Sequence, residues 1–255
     1  MGILNVTPDS FFDGGWWSTR ASAEWQARRM VDEGADVIDV GGQSTRPGYT
    51  EISAEEEIAR IVPVITAVAA ACPLPLSVDT YKPAVARAAL AAGARWLNDI
   101  HGFQGDPAMP DIAAEKGCTA VLMHHDRGFI AAPGDTIGKI QRFFERSLER
   151  AGAAGVPRER LILDPGIGFH KTPAQNLEIL RRLPELRAFG LPLLVGVSRK
   201  SVIGHVLGED TPGRLEGTLA CTALAVQQGV DYVRVHDVQA NVRVVRMTQA
   251  ILTPA

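Results

Sequence analysis

Leu161-Ile-Leu-Asp164-Pro-Gly-Ile-Gly-Phe169 carries three aliphatic residues into a carboxylate and then into a bend. The aliphatic trio reads as a short buried strand. Pro165, Gly166 and Gly168 end it and turn the chain. An unpaired charge at the end of an apolar strand is expensive to bury, so Asp164 is expected to hold a partner. The same grammar recurs along the chain: an apolar run, a polar or Gly/Pro-rich turn, then a helical pattern.

Eight such runs stand out: Gly2–Val6, Val37–Val40, Leu74–Val78, Trp96–Leu97, Ala120–Met123, Leu161–Leu163, Leu193–Val197 and Tyr232–Val235. Helix punctuation falls between them. Ser53-x-x-Glu56 has the pattern of a capping box. Pro83, Pro107, Pro173 and Pro212 sit where first helical turns would begin. Gly34, Gly93, Gly117 and Gly229 sit where helices should end. Eight strand–helix units over 255 residues predict an α/β fold, a (β/α)8 TIM barrel, as one domain over residues 1–255. A doubly wound open sheet is the alternative, but it would want G-x-G-x-x-G after its first strand, and none is present. The first strand begins almost at Met1, which leaves nothing over to seal the bottom of a barrel. A trimmed N-terminus or a bare barrel end is the expectation.

Composition narrows the function classes. A net charge of −3 gives no reason to expect nucleic acid or an acidic membrane surface. No apolar run approaches the roughly 18 residues that span a bilayer, and the N-terminus lacks a signal-peptide pattern. Val6 stands where N-myristoylation needs Ser or Thr. Cys72, Cys118 and Cys221 are odd in number and lack metal-ligand spacing, which suits reduced thiols. A cytoplasmic location is expected.

In a (β/α)8 barrel, function gathers at the C-terminal ends of the strands. Those ends here carry Asn5 and Asp9; Ser44, Thr45, Arg46 and Pro47; Asp79; Asn98 and Asp99; His124 and His125; Asp164; Ser198, Arg199 and Lys200; Arg234, His236 and Asp237. Asp79, Asn98 and Asp164 suit a planar ring bearing amino and imino N–H groups, because a carboxylate accepts two parallel donors. Acid–base work by a carboxylate pair is a second use, and capping of the following helices is the plain structural one. Arg234 and His236 lie two positions apart and point the same way. With Asn5 and the loop around Arg46 they suit a phosphate or pyrophosphate. The plain alternative pairs Arg234 with Asp237 or Asp231. Lys200 has the reach to lean over a ring or neutralise a leaving group, although most loop lysines are simply solvated. His124 and His125 are adjacent and so face opposite ways, which makes them poor co-ligands; His101, His170 and His205 have no obvious partner. A hard Mg²⁺, held by Asn or Asp oxygen and substrate phosphate, needs fewer protein ligands and stays open. Phe11, Phe12, Trp16 and Trp17 suit either a lid or core contacts under the first loop.

Taken together, the motifs resemble the dihydropteroate synthase family from end to end. The resemblance rests on Met1–Phe11 (MGILNVTPDSF), Gly41–Gly48 (GGQSTRPG), Ser77–Thr80 (SVDT), Leu97–Asp99 (LND), Leu163–Phe169 (LDPGIGF), Gly196–Ser201 (GVSRKS) and Arg234–Val238 (RVHDV). It implies condensation of 6-hydroxymethyl-7,8-dihydropterin pyrophosphate with p-aminobenzoate, giving 7,8-dihydropteroate and pyrophosphate in folate biosynthesis. By motif it implies that Asp79, Asn98, Asp164 and Lys200 hold the pterin, with Met123 and Gly196 lining its pocket. Asn5, Arg234 and His236 would bind pyrophosphate, with Asn5 near Mg²⁺, and Asp9 and Arg46 would sit on loops that close over it. Thr45, Pro47, Phe169, Lys200 and Ser198 would form the p-aminobenzoate site, where sulfonamides compete. A homodimer is the usual family state. Two other readings are a barrel passing a methyl group from a methylated folate to a corrinoid protein, and a pterin-binding paralogue without turnover. The chain departs from family habit at Gly168-Phe-His170-Lys-Thr172 with Gln175, at His101-Gly-Phe103, and at His124-His-Asp-Arg127.

Overall fold

A computed structural model describes residues 1–6, 15–43, 50–130 and 135–253. Eight parallel strands alternate with helices along the chain: β1 (Gly2–Asn5), α1 (Gly15–Asp32), β2 (Ile38–Gly41), α2 (Ala54–Ala71), β3 (Leu76–Asp79), α3 (Pro83–Ala91), β4 (Trp96–Asp99), α4 (Ala108–Lys116), β5 (Thr119–Met123), α5 (Thr136–Ala153), β6 (Leu161–Asp164), α6 (Pro173–Arg181), β7 (Leu194–Val195), α7 (Ser201–Leu207), α8 (Leu215–Gln227), β8 (Tyr232–Val233) and α9 (Val238–Leu252). Strands β1 to β6 pair in sequence order, and β7 pairs β8. Single bridges, Leu163 to Leu193 and Gly2 to Val235, join the two groups. The eight strands therefore form a closed (β/α)8 barrel, and closure satisfies the edges that an open sheet would expose.

Alternation sorts the strand side chains onto two layers. Ile38, Val40, Leu76, Val78, Leu97, Leu122, Leu161 and Leu163 face outward into the main core beneath the helices. Each such fully buried aliphatic side chain stabilises the fold by about 1.5–3 kcal/mol. Met1, Val37, Val121, Ile162 and Leu194, with Trp96 and Tyr232, make a second cluster. Trp96 meets Tyr232 edge-on at 5.4 Å between ring centres. The barrel's lower interior is thus filled by side chains of its own strands.

The helices begin and end at the expected signals, with one exchange. Ser53 Oγ accepts from Glu56 N at 3.1 Å, but the Glu56 carboxylate turns to Arg60. The complete capping box lies at Thr172 and Gln175, at the start of α6. Gly117 closes α4 in a left-handed conformation, which glycine reaches without Cβ strain.

Candidate active site

Register brings the polar strand ends together. Asn5 is paired with Gly41, Gly41 with Asp79, and Asp79 with Asn98. Met123 is paired with Asp164 on the far side. Residues paired across strands share a face, so these groups line one rim of the interior.

One guanidinium ties that rim together. Arg234 donates from Nε to Asp39 Oδ2 at 2.6 Å and from Nη2 to Asp79 Oδ2 at 2.7 Å. The same Asp39 oxygen accepts from Asn98 Nδ2 at 3.1 Å. Arg234 therefore does not pair with Asp237 or Asp231. Asp237 takes both forks of Arg199, at 2.8 Å each, and Asp231 accepts from Leu193 N. Asp39, fully buried, is the residue that reading strand ends missed. A carboxylate within the apolar run Val37–Val40, in phase with Gly41 on the interior face, was the available signal.

Burial pushes Asp79 up to about 7, with Arg234 pulling it down and Asp39 pushing it up. Asp164 is also raised by burial, against the pull of Lys200 and of the Gly166 N–H. Burial lowers Lys200 to about 8, while Asp164 supports its charge. Burial alone would lower Arg234, but Asp39 and Asp79 outweigh it and hold the guanidinium charged. The site is a desolvated set of carboxylates and cations, as expected where an enzyme must stabilise changing charge.

The loop after β6 repeats the pattern on a smaller scale. Gly166 N–H donates to Asp164 Oδ1 at 2.8 Å. Gly166 is left-handed, with φ +66°, and a Cβ there would lie 2.1 Å from His124 O. Only glycine fits. Lys200 donates to Ile167 O, and its ammonium lies 4.7 Å from the centre of the Phe169 ring. Gly196 opens space beside Lys200: a methyl there would meet Lys200 Nζ at 3.8 Å and Arg234 Cβ at 3.7 Å. Ser198 Oγ accepts from His236 N at 3.1 Å and lies 3.0 Å from His236 Nδ1. His236 is thereby oriented beside the loop that carries Lys200.

Other candidates turn out to be structural. Asp99 accepts from His101 N and Phe103 N, a local turn bond. His124 is fully buried between Phe129 and Phe143, and burial lowers it to about 2. His125 faces the other way, as strand alternation requires. It meets His101 and His170 at 4.6 and 4.7 Å between ring centres, with 3.1 Å between the Nε2 atoms of His125 and His170. His101, His125 and His170 thus converge next to Phe169, 5.8 Å from His125. His170 itself is left-handed at φ +45°, a conformation that glycine takes without strain. Among the described residues no group of three His, Cys, Asp or Glu is arranged to hold a metal ion.

Asp9, Thr45, Arg46 and Pro47, with Phe11 and Phe12, lie outside the described residues. The foot of the second loop is described. Lys82 Nζ donates to Gln43 Oε1 at 2.8 Å, to Ile52 O at 2.5 Å and to the buried Glu57 at 2.9 Å. Gln43, part of the Gly41–Gly48 motif, is an anchor for that loop.

A family model described as "Pterin binding enzyme" matches residues 1–236. The dihydropteroate synthase of Escherichia coli K12 is 44% identical over 99% of this chain and 91% of its own length. The dihydropteroate synthase of Clostridium difficile, solved in the presence of pteroic acid, superposes with a TM-score of 0.95 at 47% identity, covering 98% of this chain and 95% of the other. That of Xanthomonas albilineans, solved with 4-aminobenzoic acid, gives 0.94 at 43% identity over all of this chain and 93% of the other. A family match over residues 1–236 together with identity of this order over the full length means that this chain belongs to the dihydropteroate synthases among the pterin-binding enzymes.

Proposed function

We propose that Asp79, Asn98 and Asp164 read the pterin edge, that Arg234 and His236 take the pyrophosphate, and that this division of labour carries the condensation of 6-hydroxymethyl-7,8-dihydropterin pyrophosphate with p-aminobenzoate. The chain is a transferase of folate biosynthesis. The observation that carries the assignment is the joining of Asp39 and Asp79 by Arg234, with Asn98 bonded to Asp39 and Asp164 and Lys200 beside them. Carboxylates accept the ring's amino and imino N–H donors bidentately. Met123 and Gly196 line the pocket, and Lys200 closes it over the ring.

In the reaction the C–O bond to pyrophosphate breaks before or as the aniline nitrogen bonds to the pterin methylene carbon. The nitrogen then loses a proton. Asp79 and Asp164 stabilise the cation that develops in the pterin, and Arg234 and His236 stabilise the departing anion. No covalent nucleophile is required. Phe169, Lys200 and Ser198 serve the p-aminobenzoate subsite, where sulfonamides compete; Thr45 and Pro47, outside the described residues, are proposed for the same role.

Mg²⁺ fits this donor set. Asn5 presents an amide oxygen on the rim, with Oδ1 3.8 Å from the Cβ position of Gly41, and hard oxygen is what the ion selects. Asn5 and the pyrophosphate oxygens would hold it. When bound, it supplies charge neutralisation to the leaving group. A homodimer is supported by the exposed apolar side chains Val206 and Leu207 on α7 and Leu224 on α8, which a partner's surface would cover. No helix among the described residues is long and apolar enough to cross a membrane.

Purified protein mixed with the pterin pyrophosphate, p-aminobenzoate and Mg²⁺ should release pyrophosphate and 7,8-dihydropteroate in equal amounts. Absence of both products would sink the assignment.

A further inference from the structure

Lys171 follows the departure at His170 and has no part in the chemistry above, yet it is buried, with 9% of its surface exposed. Its ammonium donates to Gly166 O at 2.8 Å, to Phe169 O at 3.0 Å and, at the limit, to His124 O at 3.5 Å. Three N–H groups thus face three carbonyls. Among the described residues no carboxylate lies within ion-pair distance of it, and burial lowers it to about 7. A buried ammonium satisfied mainly by backbone oxygens is costly to keep. What it organises is a loop in which Gly166, Gly168 and His170 are all left-handed. Lys200 takes the Ile167 carbonyl of the same loop. The loop is a cradle of carbonyls closed around two lysines.

The two halves of that loop are held differently. Asp164 belongs to the strand ladder, where its carbonyl accepts from His124 N at 2.8 Å. Phe169 lies beyond the ladder, and its carbonyl is tied to the barrel through Lys171.

We propose that Lys171 is a positioning residue for the second substrate: by binding Gly166 O and Phe169 O to the end of β5, it holds Phe169 as the wall of the p-aminobenzoate subsite without touching substrate. The inference rests on Phe169 lining that subsite. Pterin binding, which depends on the ladder-held Asp164, is largely independent of it.

The test compares Lys171→Met, Lys171→Gln and Phe169→Ala with the native enzyme. It reads kcat, the KM for p-aminobenzoate, pterin affinity by calorimetry, and the melting temperature. Lys171→Met should raise the p-aminobenzoate KM at least about tenfold and change pterin affinity less than about threefold, the loss of one charged hydrogen-bond set. Lys171→Gln keeps two neutral donors and should fall between Met and native; it also serves if the Met variant does not fold. Equal loss of pterin and p-aminobenzoate binding, or a folded variant of native KM, overturns the proposal. If Phe169→Ala leaves the p-aminobenzoate KM unchanged, the subsite reading is at fault and the proposal falls with it. If Phe169→Ala raises that KM and neither Lys171 variant does, only the role of Lys171 is refuted.

Discussion

Replacing Asp39 by Asn tests the charge network at its least obvious member. Asp39 and Asp79 accept from Nε and Nη2 of one guanidinium at 2.6 and 2.7 Å, so their charges lie on the order of 5 Å apart, within the span of two hydrogen bonds to one group. At an effective dielectric near 20, two like charges at that distance repel by about 3 kcal/mol, equivalent to about two pKa units. Solvent at the open rim reduces this, so about one unit is expected. The sign follows from the charges. Asp79 is pushed up to about 7 by burial, with Asp39 adding to the rise and Arg234 opposing it. In the proposed role the ionised form accepts pterin N–H groups, so native activity should rise as pH increases through about 7. Asp39→Asn removes a negative charge and leaves Asp79 the sole carboxylate on Arg234, so the acid limb should move to lower pH. The Asn oxygen still accepts from Arg234, and the cost in stability should be about 1–2 kcal/mol, the difference between a charged and a neutral bond. The assay is kcat/KM for the pterin pyrophosphate across the acid and neutral range, in both proteins. Substrate ionisation is common to both and cancels in the comparison. An acid limb that stays in place, or that moves to higher pH, refutes the reasoning.

Asp164→Asn should weaken binding of a pterin at least about 100-fold in calorimetry, the loss of a bidentate charged pair worth about 3 kcal/mol. An unchanged affinity would show that Asp164 does not read the ring. His236→Ala should raise the KM for the pterin pyrophosphate about tenfold or more by removing a donor to an anion, with affinity for a pterin lacking the pyrophosphate unchanged. Equal weakening of both ligands would contradict its assignment to the leaving group. Gly166→Ala should destabilise the fold by at least about 3 kcal/mol, because a Cβ in this left-handed turn meets the His124 carbonyl; a thermal melt like that of the native chain would disprove that packing.

Much of the architecture is local and was therefore readable. Leu161–Leu163 and its seven counterparts are apolar because strands of a parallel barrel are buried on both faces, and the prolines and glycines between them act within a turn of their own position. Asp79, Asn98 and Asp164 were readable too, because a strand end fixes direction and height together. What stayed hidden depended on closure. Arg234 has acidic neighbours within three positions, at Asp231 and Asp237, yet it binds Asp39 and Asp79, 195 and 155 residues away. His101, His125 and His170 lie far apart in sequence, each without an obvious partner there, and meet only where β4, β5 and β6 deliver their loops to one rim. Lys171 reads as a loop lysine until the left-handed turns at Gly166 and His170 aim carbonyls at it. The sequence by itself determined which strands form and which groups they carry to the rim, because those choices rest on periodicity and backbone limits over a few residues. The tertiary structure decided which charge pairs with which, because a desolvated charge takes whatever partner barrel closure brings within 3 Å.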